Sequence, residues 1–492
     1  MTLGSRTWHW WALYSAIGVV AFAVRLAIML RGGGLLTLGA YDDGVYYAAA
    51  DALVHGRLPY RDFLFLQPPG VVLAGAPFAW FGSLTSDALG LAVCRVAFML
   101  LGAVNTVLVA AVLRRFGYLT AAVGGFFYAI TYIAAYSERS ILLEPMGTTG
   151  ILVALAILAR PALVRRTPWA VLAGVALGVA CGFKIWYAVP ALIIVAFAGR
   201  AWWRMLVGVV LGATAVCLPF FVRAPAAMVT QVVQDQTGRG RADDLMQRLQ
   251  IILGNYRVTD SDLLQSGVTT DTLTGTLAAL TIVLLVIALT VRGARLYPVL
   301  FIADVAMLLA VPSFYPHYAA LTTPMTALVV GLAVGRIAAI PSWSVVRGAI
   351  AGVAVVGMIG LNAGMIAHGF GIRVPVAGLT TAAAKVRGCV MSDDPTILAS
   401  MDVLSRDLAD SCALQPDLTG WIYDADTVIV HGEDVPRLDN PLWQKHATTY
   451  LTSGAAAIVV WRNALDRAST RTLSAGPALF RDGRWVLRET VR

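Results

Sequence analysis

Asp42 and Asp43 are adjacent carboxylates in the segment Tyr41-Asp42-Asp43-Gly44-Val45-Tyr46-Tyr47, which follows the first long apolar run and a flexible Arg31-Gly32-Gly33-Gly34 exit. Adjacent acids repel, so one of them ionises less readily unless a cation or metal lies close. A carboxylate in that state suits a general base. It suits equally well an N-cap for the short amphipathic interfacial helix expected over 43–56, and residue chemistry alone leaves both readings standing. A second cluster is Ser137-Glu138-Arg139-Ser140-Ile141-Leu142-Leu143-Glu144-Pro145. Glu144, just before a proline, can open a helix and meet its positive dipole end. Arg139 can pair with Glu144 or with an acid of the first cluster, and a structural ion pair between loops is the plainer alternative.

Lys184 is the only lysine in the first 384 residues and sits at a junction between two apolar runs, in Gly182-Phe183-Lys184. A compact ammonium there can hold a phosphate or simply snorkel to an interface. The segment Phe314-Tyr315-Pro316-His317-Tyr318 offers hydrogen-bond donors beside lipid, for a phosphate or sugar hydroxyls. An aromatic belt accounts for its tyrosines but not for His317. Arg25, Arg95 and Asp304 fall within apolar runs, where buried ion pairs are expected.

These groups need a scaffold, and the composition says which kind. The 492 residues are 58% hydrophobic and 13% charged, against about 45–50% and about 25% in soluble domains. Disorder, a collagen-like chain and an ordinary cytosolic enzyme are excluded. Apolar stretches long enough for a core of about 30 Å recur along the chain. Eleven spans are expected, at 8–30, 89–113, 118–136, 142–160, 168–182, 184–199, 205–222, 272–291, 296–312, 318–335 and 347–368. The first shows no cleavage pattern and is long enough to stay as an anchor. The fold class expected is a polytopic α-helical membrane protein with a small C-terminal α/β domain.

Arginine placement orients the map. Arg6, Arg114, Arg115, Arg160, Arg165, Arg166, Arg200, Arg204, Arg292, Arg295, Arg336 and Arg347 all fall on one side, where no acid falls. That side is read as cytoplasmic in a multi-pass cell-membrane protein, with the N-terminus cytoplasmic. Of the 14 acids in residues 1–368, 13 sit in outer loops or at outer span ends, and only Asp304 lies in the interior of a span. A proton-coupled transporter would place carboxylates at depth; these gather at the outer boundary. The formal charge of +9 divides as +10 for residues 1–368 and −1 for the rest. It reads as a topology signal for anionic lipid headgroups, with no nucleic-acid partner.

Two domains are expected, 1–370 in the membrane with large outer loops 31–88 and 223–271, and 371–492 outside it. In the tail, 388–393 and 455–461 read as buried strands, 398–408 and 443–451 as helices. Trp421, Tyr423, Trp443 and Trp461 can stack on sugar rings, although a core role is favoured for them. Cys389 and Cys412 both lie outside, where an oxidising compartment permits a disulfide closing a loop of about 22 residues; two buried thiols is the alternative. The 223–271 loop holds Arg239, Arg241, Arg248 and Arg257 with Asp243, Asp244, Asp260 and Asp262, and an amphipathic run at 245–252. An interfacial helix and mobile loop closing over a ligand are expected there, against a merely solvated connection.

At these residues the sequence resembles the GT-C superfamily of lipid-linked-sugar glycosyltransferases, in particular the protein O-mannosyltransferase and aminoarabinose transferase group. That group carries an acidic pair in the first outer loop, then a short helix and a Lys-Pro-Pro-like segment. Here these are Asp42-Asp43 and Gln67-Pro68-Pro69-Gly70, with Gln in place of the frequent basic residue. An Arg followed by a leucine–acid–Pro element matches Arg139 and Leu143-Glu144-Pro145, with Glu for the more usual Asp. The resemblance spans about residues 8–370. It implies a transferase taking a sugar from a polyprenyl phosphate to an acceptor hydroxyl of an envelope glycan, lipid or protein. By the same resemblance Asp42 is the base, with inversion at C1. Asp43 orients the acceptor, a cation or Arg139, and Glu144 shapes the acceptor pocket beside Glu138. Lys184, His317 with Tyr318, and Arg95 then offset the charge of the leaving phosphate. No cofactor is demanded; a divalent cation at Asp42–Asp43 is left open. A transporter or lipid-linked-sugar flippase is the alternative of a different class.

Overall fold

The structure, a computed structural model, describes residues 3–240, 244–255, 270–340, six positions between 357 and 366, 370–423, 429–430 and 433–491. It is mostly helical. The first seven helices that matter are α1 (Leu3–Arg31), α2 (Tyr41–Val54), α3 (Gly70–Leu84), α4 (Asp87–Leu113), α5 (Tyr118–Ile130), α6 (Tyr132–Glu138) and α7 (Leu143–Leu158). Helices at Thr167–Cys181, Ala188–Phe197, Trp202–Phe221, Thr270–Leu289, Leu296–Ala310 and Thr323–Ala338 complete the bundle. Among the described residues, 8–31, 87–116, 199–221 and 270–289 are each long and apolar enough to cross a membrane, and α5 with α6 make a fifth if read as one bent span. Most of the expected span 347–368 lies outside the described residues.

The bundle is a multi-pass membrane protein by composition and by the way it packs. Large apolar side chains stay uncovered on its flanks, such as Trp11 and Val19 on α1 and Ile282 and Val286 on Thr270–Leu289. Such faces need lipid. Inside, small residues let backbones meet. Gly174 and Gly178 on one helix face Gly208 and Gly212 on another, and a Cβ at Gly208 would stand 2.8 Å from the Cα of Gly174. This is the small-x-x-x-small contact of membrane helices, repeated on both partners.

Two departures from the sequence reading shape the site. The 31–88 loop holds a second helix, α3, which the punctuation of Pro68, Pro69 and Pro77 hides from a search for long apolar runs. And the helix at 118–138 breaks at Thr131, where the backbone turns extended and α6 swings away by 59°. The kink turns Glu138 and Arg139 into the bundle, where both are buried.

The tail forms a four-stranded sheet in the order β1-β4-β6-β5, from Val390–Ser392, Ala456–Ile458, Trp485–Glu489 and Ala478–Asp482, with a separate pair β2–β3 at Ile429–Val430 and Glu433–Asp434. Strands β1 and β4 are parallel and lie within the two expected strand segments. The expected helix 398–408 is two helices, Pro395–Ser400 and Leu404–Ala409, because Asp402 between them takes a left-handed φ of 61°. Strands β5 and β6 were not expected; their two-residue turn is Gly483-Arg484, with Gly483 at φ 53° and Asp482 paired with Trp485 across it. Cys389 and Cys412 are joined by a disulfide, 5.7 Å between Cα atoms.

The tail sits on α2 and α4. Arg57 donates to the Cys412 carbonyl, the Ser405 hydroxyl bridges the carboxylates of Asp51 and Asp87, and Asp402 accepts from the Asp87 N–H. Gly44 is the closest approach: a Cβ there would stand 2.6 Å from the backbone nitrogen of Thr396. The first turn of α2 is therefore roofed by the tail.

Candidate active site

A cavity of about 700 Å³ opens at the end of the bundle opposite the arginine-rich loops. One wall is the start of α2, one the segment 315–318, and the roof comes from the tail at 417–423, 435–437 and Trp461. Asp42 and Asp43 both lie in the first turn of α2, where the helix dipole favours carboxylates. Ala40 holds the N-cap position and neither acid caps the helix. One residue of rotation separates their fates. Asp42 lines the cavity with its side chain 35% exposed. Asp43 is fully buried and pairs with Arg95 at 2.6 Å. Two carboxylates on different faces do not make a shared cation site, and among the described residues no three His, Cys, Asp or Glu side chains converge to hold a metal.

Asp42 stands 3.5 Å from Nε2 of His317. Partial burial raises its pKa, Asp417 and Glu144 add to the rise, and Lys184 and Arg239 oppose it, leaving a value of about 7. His317 goes the other way: burial lowers its pKa to about 4, so near neutrality it is an uncharged hydrogen-bonding ring. Behind it Glu144 accepts from Lys184 at 2.6 Å, both side chains 1% exposed, and the ammonium lies 3.2 Å from the centroid of the Tyr318 ring. Lys184, expected to meet a phosphate, is thus held beneath the cavity wall by Glu144 and Tyr318.

The structure brings Asp42, His317 and Tyr318 to the cavity, with Glu144 and Lys184 directly behind. It does not bring Asp43, Glu138 or Arg95 there. Arg95 is spent on Asp43 and on the carbonyls of Leu35 and Thr37. Glu138 pairs with Arg25 and also accepts from Asn105 and Tyr128. Of the three expected in-span charges, Arg25 and Arg95 thus find carboxylates, whereas Oδ1 of Asp304 has no hydrogen-bond partner among the described residues. Arg139 makes neither of the ion pairs considered for it. Its guanidinium lies over the Tyr136 ring at 3.9 Å, with Nε and Nη2 unpartnered among the described residues.

Several cavity residues were not singled out in the sequence, or not for this place. Arg239 reaches the wall from the 223–271 loop, over the ring of Tyr423 at 4.1 Å, its Nε unpartnered among the described residues. Asp417 and Arg437 come from the tail, far along the chain from Asp42, and no local pattern marks them. The expected amphipathic helix is present at Leu245–Ile252 and pinned by Arg248, which donates to the carbonyls of Val311 and Pro312. Arg241, Asp243, Arg257, Asp260 and Asp262 lie outside the described residues.

No family model matches this sequence, and no curated protein sequence is significantly similar to it. Solved structures are. The crystal structure of ArnT from Cupriavidus metallidurans bound to undecaprenyl phosphate superposes with a TM-score of 0.62 at 16% identity, covering 98% of this chain and 98% of that one. The same protein in the apo state gives 0.63 at 17% identity, covering 99% and 98%. At such identity the likeness speaks for the fold, and it runs from end to end, tail included. The chain has the fold of ArnT.

Proposed function

We propose that this protein transfers a sugar from a polyprenyl-phosphate donor to an acceptor hydroxyl of a cell-envelope glycan, glycolipid or protein on the outer face of the membrane. The observation that carries the reading is Asp42, a carboxyl with a pKa of about 7 facing a cavity at the acid-bearing end of an ArnT-like bundle. That ArnT structure carries undecaprenyl phosphate, which supports a lipid-linked donor here. The chain crosses the membrane about eleven times, with its N-terminus cytoplasmic and residues 371–492 as an outer domain, because the arginine-rich loops lie opposite the cavity.

Asp42 takes the proton of the acceptor hydroxyl as that oxygen attacks C1 of the sugar. The bond from C1 to the phosphate oxygen breaks on the opposite face, so the anomeric configuration inverts. Arg239, in the wall with an Nε–H unpartnered among the described residues, offsets the charge on the departing phosphate. Asp43 and Arg95 are positioning residues that fix the first turn of α2. Glu144 and Lys184 do the same for His317 and Tyr318. The lipid chain of the donor lies along the apolar groove of Leu245, Met246, Leu249, Ala306, Leu309 and Ala310. That groove ends five residues before Tyr315 in the cavity wall.

Mass spectrometry of envelope lipids and glycans from a deletion strain tests the reading. Accumulation of one lipid-linked sugar together with loss of that sugar from an envelope glycan, lipid or protein is expected. A strain with unchanged lipid-linked sugars and unchanged envelope glycosylation would contradict it.

A further inference from the structure

Trp461 is held in the roof of the cavity by two buried carboxylates, Asp393 and Asp394. Asp393 is 6% exposed and uses both oxygens on this one place: Oδ1 accepts from the Val460 N–H at 2.7 Å and Oδ2 from the Trp461 N–H at 2.8 Å. Its neighbour Asp394, 1% exposed, accepts from the indole Nε1–H at 3.1 Å. Adjacent buried carboxylates are costly. One oxygen of each accepts from Trp461, while the other Asp394 oxygen caps the helix Pro395–Ser400 at the Thr396 N–H, and the Trp461 indole stays half-buried and faces the cavity. Trp443, by contrast, is 2% exposed and fills the tail's core, and Trp421 stacks on His446 at 4.0 Å away from the cavity wall. Among the tail tryptophans, one is aimed.

Polar groups line the same roof. Asp417 keeps Oδ1 on the Gly420 N–H and Thr419 hydroxyl, at 2.6 and 3.1 Å, while Oδ2 makes no hydrogen bond among the described residues. Arg437 forms no ion pair among the described residues and lines the same roof. A flat apolar face flanked by a carboxylate and a guanidinium matches a sugar ring, with C–H groups on one face and hydroxyls on its edge.

The roof is also the side a lipid-linked donor reaches least. Its chain must come from the bilayer, hence from the bundle side of Asp42. Tail and base are held in fixed relation: Thr396 packs on Gly44, and the Tyr41 hydroxyl accepts from the Thr419 N–H at 3.2 Å. A molecule seated on the roof therefore presents its hydroxyl to Asp42 at a set distance.

We propose that the roof formed by Trp461, Asp417 and Arg437 is the acceptor subsite and that it takes a sugar ring, so that the attacking hydroxyl belongs to a carbohydrate and not to a serine or threonine of a protein. This rests on the glycosyl-transfer reading for which side is the acceptor's, and it deepens that reading. The subsite itself is a binding claim and can be tested without any donor.

The experiment uses the full-length protein in nanodiscs and saturation-transfer NMR with a panel of methyl pyranosides and methyl furanosides, and in parallel a Ser/Thr-rich peptide. At least one glycoside should bind, Trp461→Ala should weaken it about tenfold or more, and Trp461→Phe, which keeps a ring, should retain most of it. Asp417→Asn should weaken it as well. Unchanged melting of Trp461→Phe separates lost binding from lost folding. Binding of the peptide and of no glycoside, or equal glycoside binding by Trp461→Ala, would overturn the proposal. Trp461-dependent glycoside binding without any transfer from polyprenyl-phosphate sugars would keep the subsite and remove the transferase reading instead. In turnover assays Trp461→Ala should raise the acceptor KM and leave the donor KM unchanged; a raised donor KM alone would assign the roof to the donor and overturn it.

Discussion

Turnover should rise as pH passes through about 7, because Asp42 must be ionised to accept a proton and its carboxyl is held near that value. With a midpoint there, roughly a tenth of Asp42 is ionised one unit below and roughly nine-tenths one unit above. Across that interval kcat/KM, which reports the free enzyme, should climb about tenfold and then level off. His317, held at about 4, is neutral throughout and adds no limb of its own. The neighbours supply the sharper test. Asp417 raises the Asp42 pKa as a like charge, so Asp417→Asn should move the limb to lower pH. Arg239 stabilises the ionised form, so Arg239→Gln should move it to higher pH. The assay is initial transfer from a polyprenyl-phosphate sugar by protein in nanodiscs, over about pH 5 to 9. The position of the limb is read, not its height, because Asp417 and Arg239 also line the cavity. A flat profile, or two variants moving the limb in the same direction, would refute Asp42 as the titrating base. Linkage gives a companion sign. A pKa raised above the unfolded 3.8 means Asp42 contributes stability below that pH and loses it as pH rises through about 7. Asp42→Asn should therefore melt above the parent protein at pH 8 and not at pH 4.

Lys184→Met leaves Glu144 buried without its cation and should cost about 3–5 kcal/mol in melting experiments, and adding Glu144→Gln should recover most of it; a single variant as stable as the parent would mean that Glu144 stays protonated. Gly44→Ala pushes a methyl against Thr396 and should cost about 1–3 kcal/mol, seen as faster hydrogen exchange over residues 393–423; unchanged exchange there would mean the tail does not rest on Gly44. Reducing Cys389–Cys412, which spans 23 residues of sequence, should cost the tail about 3 kcal/mol by loop entropy. A tail whose melting ignores reductant would show that its core holds without the bridge.

The membrane class was legible because lipid selects on composition, and a helix start survives single-sequence reading when an acid precedes a proline, as at Glu144. Strands β1 and β4 were legible for the same reason, being short apolar runs between turns. What failed is instructive. Helix α3 is apolar but proline-punctuated, and β5–β6 is charge-rich, so neither meets a hydrophobicity pattern; only a glycine-first turn, Gly483-Arg484, marks the hairpin. Sequence order placed Asp42 and Asp43 together, yet a helix rotates neighbours by about 100°, so one faces the cavity and the other Arg95. Adjacency on a helix is not shared orientation. The residues from the tail, Asp417, Arg437 and Trp461, reach Asp42 only through tertiary docking on Gly44 and Tyr41, a contact across more than 370 residues. No local spacing encodes that.

The most direct measurement is single-turnover sugar transfer by purified Asp42→Asn in nanodiscs, with melting and donor binding recorded on the same preparation. Asparagine keeps the shape and the hydrogen-bonding reach but cannot take a proton. Loss of transfer by about a hundredfold or more, with melting and donor binding retained, is the predicted result. Transfer at the parent rate by a folded Asp42→Asn protein would contradict the central claim that this carboxyl is the base.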